Sequence, residues 1–163
     1  MTQPRIFPGR YTALTDEPFV VFIIGMRINR LLAVRRWWPV FTAMPAMLRE
    51  LAADPAKGFL GAQTILYWRG IGLIQYWRSF EHLESYARDP NARHLPAWRA
   101  FNRAVGGDGS VGIWHETYAV EPGGYEVIYN NMPRVGLAAA TDHAPATGER
   151  ETARQRLRRR QAA

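Results

Sequence analysis

Apolar residues fill both faces of the stretch from Phe19 to Asn29, FVVFIIGMRIN. Continuous rather than alternating hydrophobicity over that length predicts a central β-strand covered on both sides. From Arg30 to Asp54 the period changes. Trp37, Phe41, Met44, Leu48 and Leu51 recur at spacings of three and four, the apolar stripe of a helix. Pro39 suits its first turn, Pro45 is expected to kink or split it, and Asp54-Pro55 to end it. Two strand-like runs follow, Phe59–Trp68 and Ile71–Trp77, around Arg69-Gly70, where Gly70 is expected to supply the positive φ of a tight turn. Ser79 is placed to cap a helix over Phe80–Arg88 whose buried side would carry Phe80, Leu83 and Ala87. A further helix is predicted over about Leu95–Val105, with Pro96 in its first turn. After the glycine-rich loop at Gly106–Gly109, two closing strands are predicted at Gly112–Val120 and Tyr125–Asn130, joined by a Pro-Gly-Gly turn.

The predicted order is β-α-β-β-α-(α)-β-β, and its first six elements match the ferredoxin-like plan. The fold class expected is therefore α+β, an antiparallel sheet with helices on one face. Because the first strand is apolar on both sides, the second face needs a cover, and a second subunit is the economical choice. Face-to-face dimers of this kind form a joint α/β barrel. Residues 1–18, with three prolines, read as an irregular arm, and residues 19–140 as the domain. Met132–Ala140 is expected to pack across the body. Residues 141–163 shift to Ala, Thr, Gly and Arg and read as a disordered basic tail.

Composition adds a real core and removes several chemistries. The 163 residues are 47% hydrophobic, with six Trp, seven Tyr and seven Phe, enough for one packed domain. With no Cys there are no disulfides, no thiolate nucleophile and no Cys-based metal site, and a reducing, cytoplasmic setting fits. The net charge of +7 is concentrated late: Glu149–Arg160 holds six Arg and two Glu. Such a segment can bind nucleic acid or anionic lipid, or be a solvated tail. Elsewhere no nucleic-acid partner is expected. The first residues carry no signal-peptide core. The longest apolar run, Phe19–Met26, is far short of the ~20 residues a membrane span needs, so no membrane partner is expected.

Chemistry concentrates first at His115 and Glu116, adjacent polar residues inside a strand between Trp114 and Tyr118. Being consecutive in a strand, they point to opposite sheet faces and cannot form one compact dyad. Either could serve as a general base, and Glu116 could instead pair with Arg27, Arg78 or Arg99. His94, if helical geometry extends back to it, shares a side with Trp98, Phe101 and Val105 and faces the sheet. It could ligate haem iron or shuttle protons, or simply bond a backbone carbonyl at the helix start. His82 falls opposite the buried side of its helix, and His143 lies in the tail. Gln63, Gln75, Tyr67, Tyr76 and Tyr129, with Trp77, Trp98 and Trp114, could wall a pocket for a flat apolar substrate, or fill a core. No Gly-x-Gly-x-x-Gly follows the first strand, no P-loop or Gly-x-Ser-x-Gly occurs, and metal-ligand spacing is absent, so no metal is expected.

The words YWRSFEHLESYARDP, HLPAWRAFNR, GIWHETY and YEVIYNNMP, taken with that topology, resemble the dimeric α/β-barrel superfamily over about Phe19–Ala140. More narrowly, the chain resembles the small monooxygenase-like proteins related to a fumagillin-pathway enzyme, distantly similar to the antibiotic-biosynthesis monooxygenases. The resemblance implies a homodimer that inserts oxygen into an electron-rich or conjugated small molecule without a cofactor. His115 or Glu116 would then remove a proton, Asn29, Gln75 and Trp77 would orient the substrate, and Tyr86, Trp98 and Trp114 would line its site. The superfamily also holds haem-degrading enzymes and haem-containing dehydratases, which makes haem the alternative cofactor, with His94 or His115 as axial ligand. Asn29, Tyr86 and His94 lie at places loosely comparable to that branch's functional residues. Tyr86 replaces a Trp there, and its spacing to His94 is shorter. Stress-response members without established chemistry give a third expectation, a non-catalytic dimeric ligand-binding module.

Overall fold

A computed structural model describes residues 4–92 and 94–157. In chain order its elements are β1 (Phe7–Leu14), β2 (Phe19–Ile28), α1 (Val34–Ala53), β3 (Phe59–Tyr67), β4 (Gly70–Trp77), α2 (Phe80–Arg88), α3 (His94–Ala104), β5 (Val111–Val120), β6 (Tyr129–Met132), α4 (Leu137–Ala140), β7 (Asp142–Pro145) and α5 (Ala153–Leu157). One antiparallel sheet has the order β3-β4-β2-β5 and the other β6-β1-β7. The larger sheet with α1, α2 and α3 on one side is the expected α+β, ferredoxin-like arrangement. The run that is apolar on both faces, β2, takes a central place between β4 and β5.

Register fixes which residues face the helices. Val20, Phe22, Ile24 and Met26 of β2 lie opposite Trp77, Gln75, Leu73 and Ile71 of β4. Two core clusters form on this side. Val20 and Trp77 pack with Leu51 of α1 and Leu83 and Tyr86 of α2. Nearer the other end, Met26 and Val111 pack with Val105, Phe101, Trp37 and Val40. Helix α1 runs unbroken through both of its prolines, so Pro45 does not split it. Its inward residues are Trp37, Val40 and Leu51, whereas Phe41 is exposed, one position off the expected stripe. Ser79 caps α2 as expected, its Oγ accepting from the His82 N–H. Yet Phe80 is exposed and Tyr86 takes the buried place.

The other face departs from expectation. Residues 1–18 are not simply an irregular arm: β1 pairs with both β6 and β7. Residues 141–163 were expected to be disordered, but β7 and α5 are ordered, and residues 158–163 lie outside the described residues. The predicted hairpin at Pro122-Gly123-Gly124 does not form either. Residues 125–128 leave the large sheet, and β6 joins β1 instead. The resulting small sheet and α4 place Ala13, Leu137 and Ala138 against Phe19, with Val21, Leu60, Tyr76 and Val120 around them. The chain thus covers part of the face for which a second subunit was expected. Arg156 locks the cover: its guanidinium donates to Glu126 and, at 2.9 Å, to the carbonyls of Arg150 and Glu151. A buried guanidinium is tolerable because each side of its fork meets an acceptor.

The β3–β4 turn shows a smaller correction. Positive φ falls on Arg69, at 59°, not on Gly70. Gly70 is needed for a different reason: a Cβ there would run into the Met26 carbonyl and the Tyr67 ring.

Candidate functional site

Strand β5 is an edge of the large sheet, and its helix side is only partly roofed. Ile113 packs under Phe101 of α3 and Val105 just past its end. Farther along, His115, Thr117 and Ala119 are exposed. His115 pairs in register with Ile24, which puts its imidazole on the helix side. There the ring lies 5.6 Å from the Phe22 ring, tilted by 42°. On α3, Trp98 stacks on Phe101 at 5.5 Å and stays half exposed. His115, Thr117 and the Phe22 ring thus share an open stretch of the helix side, with one imidazole, one hydroxyl and one aromatic ring. That arrangement can bind the edge of a flat apolar molecule and accept a proton from it.

Glu116, one residue on, pairs with Ile23 and faces the opposite side. Strand geometry separates the pair as expected. The partner of Glu116 is not one of the three arginines considered. Tyr118, two residues along on the same face, donates its phenolic O–H to Glu116 Oε2 at 2.6 Å. That carboxylate pushes the Tyr118 pKa up, because it accepts the phenolic proton and repels a phenolate. Tyr118 therefore stays a hydrogen-bond donor. The i, i+2 spacing of the two residues was the sequence signal for this contact.

Several candidates sit inside the core. Trp77 is fully buried, and its Nε1 donates to Gln75 Oε1 at 2.9 Å. Gln75 is buried too, so the two satisfy each other beneath the helices. The Tyr86 ring lies 5.9 Å from Trp77 and borders a groove of about 530 Å³ beside α2. Asp54, Glu81, Asp89 and Lys57 also line that groove, a poor match for an apolar substrate. Asn29, at the end of β2, accepts from Arg27 and donates to the Gly109 carbonyl, which ties the loop before β5. Trp114 faces away from the helices and donates to the Tyr67 hydroxyl at 2.9 Å, which donates in turn to the Met26 carbonyl at 2.6 Å. His94 opens α3, but its side chain lies outside the described residues.

The expected wall of Asn29, Gln75, Trp77, Tyr86, Trp98 and Trp114 is thus dispersed over the core, one sheet end and both faces. Phe22 is the residue of that open stretch that reasoning along the chain passed over. It is visible only through the cross-strand register. Among the described residues no group of three or more His, Asp or Glu is placed to hold a metal ion. A haem between helices and sheet would need an open slot above β2 and β4. Leu83, Tyr86 and Phe59 fill that space against Trp77, with Phe59 and Trp77 rings 5.3 Å apart, and do not fit a haem.

A family model described as "Monooxygenase af470-like" matches residues 19–137. Monooxygenase af470 of Aspergillus fumigatus is 30% identical over 138 residues, which is 76% of this chain and 48% of that protein. The chain therefore spans about half the length of this curated relative. Among solved structures, an aldoxime dehydratase in complex with butyraldoxime superposes with a TM-score of 0.65 at 16% identity, covering 84% of this chain and 43% of the other. SnoaB, a cofactor-independent oxygenase from Streptomyces nogalater, superposes with a TM-score of 0.44 at 14% identity, over 61% of this chain and 90% of the other.

Proposed function

The chain belongs to the Monooxygenase af470-like family, and we propose that its domain is a small-molecule monooxygenase unit that acts on an electron-rich or conjugated organic substrate. The observation that carries the assignment to particular residues is the exposed His115 ring on the helix side of an edge strand, beside Phe22. Its imidazole takes one proton from an activated carbon of the substrate that carries two hydrogens, the second of which leaves later with the water. The resulting carbanion gives one electron to O₂, and the substrate radical and superoxide combine into a peroxide. That peroxide recovers a proton and loses water, leaving a carbonyl. One oxygen atom enters the substrate, the other leaves as water, and no external reductant is needed. Phe22 and Trp98 hold the flat substrate, and Thr117 offers a donor for the developing oxyanion. Gln75 and Trp77, buried on the same face beside Phe22, hold that ring in place rather than touching substrate.

We read the working form as a cytoplasmic homodimer. The part of the sheet around Ile23, Trp114 and Tyr118 is left open by the small sheet, and a second copy would cover it. No helix among the described residues is long and apolar enough to cross a membrane.

Oxygen uptake with a panel of electron-rich phenols and conjugated ketones tests the reading. Loss of a general base lowers turnover by about 10²–10⁴-fold, so His115→Ala should fall by that much and Glu116→Gln should stay near the parent. Unchanged turnover in His115→Ala removes His115 from the role. A Soret band in protein purified without added cofactor replaces the cofactor-free chemistry with a haem one.

A further inference from the structure

One end of the large sheet is a connected tip of three loops. The Ile28 N–H donates to the Arg69 carbonyl at 2.8 Å, and Arg69 Nη2 donates to the Asn29 carbonyl at 2.8 Å. The N–H groups of Asn29 and Arg30 both reach the Ser110 carbonyl, at 3.0 and 3.1 Å. Trp37 Nε1 donates to the Leu31 carbonyl at 3.0 Å, which fastens the start of α1 to the same tip.

From this tip large apolar side chains point into water. Leu32 is 98% exposed, Leu66 81%, Trp68 74% and Leu31 58%. Helix α1 prolongs the surface. Val34, Trp38 and Phe41, at spacings of four and three, are exposed on its outer side, with Trp38 stacked on Phe41 at 5.9 Å. The inner side of the same helix already has Trp37 and Val40 in the core. Isolated exposed apolar residues are ordinary, but this many on one tip and the helix that leaves it mark a contact surface. Its rim is basic. Arg27 lies over the Trp68 ring at 4.8 Å, Arg69 flanks the same ring at 5.9 Å, and Arg30, Arg35 and Arg36 follow on the linker and the first turn of α1. Asp108, an acid at this end, is bridged to Arg36 at 2.7 Å.

We infer that this tip seats the protein on the surface of an anionic lipid bilayer. Exposed leucine and tryptophan side chains at one end of the sheet, with guanidiniums beside them, suit the boundary between headgroups and acyl chains. The apolar groups enter it and the arginines pair with lipid phosphates and carboxylates. The charge pattern selects among possible occupants. A second copy meeting the tip would bring arginine against arginine. A nucleic acid would satisfy the arginines but leave Leu32 and Leu66 in water. Such a surface lies in the interface and spans nothing, so it needs no ~20-residue apolar run. The inference is independent of the His115 assignment.

Vesicle flotation with the full chain tests it. Binding to phosphatidylcholine vesicles containing phosphatidylserine, weaker on phosphatidylcholine alone and falling with salt, is expected. Leu32→Ser with Trp68→Ser should lower the partition coefficient about tenfold or more. Arg30→Gln with Arg35→Gln should lower it about fivefold per charge at low salt. All four side chains are exposed, and unchanged thermal melting verifies the fold. Arg158→Gln, Arg159→Gln and Arg160→Gln together, in the full chain, should leave most binding intact. Any of four results overturns the proposal: a parent protein that ignores anionic vesicles; binding unaffected at Leu32 and Trp68; binding abolished by the three late arginine changes alone; or retention of a single-stranded RNA with no vesicle binding.

Discussion

The two faces of the large sheet are covered by different kinds of chain. On the helix side the cover is near in sequence: α1, α2 and α3 come from the connections between the strands themselves. On the other side it is distant. β1 precedes the sheet, and β6, α4 and β7 follow it. The first cover belongs to the ferredoxin-like plan, and the second is assembled from segments that look like an arm and a tail. Each is also incomplete in its own way. The helix cover leaves β5 open at His115, and the small sheet leaves the region around Ile23 and Trp114 open. A strand hydrophobic on both faces therefore states that two covers exist. It does not state where they come from.

Deep truncation on each side gives the sharpest test of that contrast. Trp77→Ala should cost about 3–5 kcal/mol in chemical denaturation, because a fully buried indole is lost together with the partner of Gln75. Leu137→Ala, on the other side, should cost about 2–5 kcal/mol if the small sheet is a true part of the core. A change below about 0.5 kcal/mol, the range of an ordinary surface site, would instead make that cover a loosely held flap. Glu126→Gln comes next, at about 1.5–3 kcal/mol, the range for hydrogen bonds to charged groups. Its signature is local: amide exchange should quicken in β1 and β7 and stay protected in β2 and β4.

The smallest effect concerns His143, set in β7 against Phe7 and Tyr11 at 4.8 and 4.5 Å. Burial, and secondarily the Arg134 charge, hold its pKa below the usual 6.5. As pH falls through about 6.5 the unfolded chain takes up a proton that the folded one refuses, so stability drops until the lower folded value is passed. His143→Phe should keep the packing and flatten this part of the acid limb of a stability–pH curve. An unchanged acid limb would show that the small sheet does not exclude the charge.

Most of the helix side was legible along the chain. The apolar run of β2, the Ser79 cap and the proline stops each report a local physical constraint. The missed features are nonlocal. The pairing of β1 with β7 depends on residues more than a hundred positions apart, and no periodicity records it. The turn at Arg69 escaped for a related reason: the adjacent Gly70 looked like the left-handed residue, while its real constraint is the Met26 carbonyl of another strand. For the candidate site, strand alternation correctly separated His115 from Glu116. It could not tell that Gln75 and Trp77 bond each other in the core, nor that Phe22 lies beside His115. Both facts follow from register across strands, which a single chain does not print.

The place of β1 between β6 and β7 also orders events in time. During synthesis this strand emerges before the large sheet, yet its partners emerge only after it, with Tyr129 and then Asp142. Every pairing within the large sheet can be made before then, since Val120 completes its last strand. The strand that precedes the large sheet is thus among the last to find its place, and closing so long a loop is the slow kind of step. Until then, Phe19 and Val21 stand uncovered on a nascent sheet, a window for chaperones or for misassembly that ends when β7 arrives.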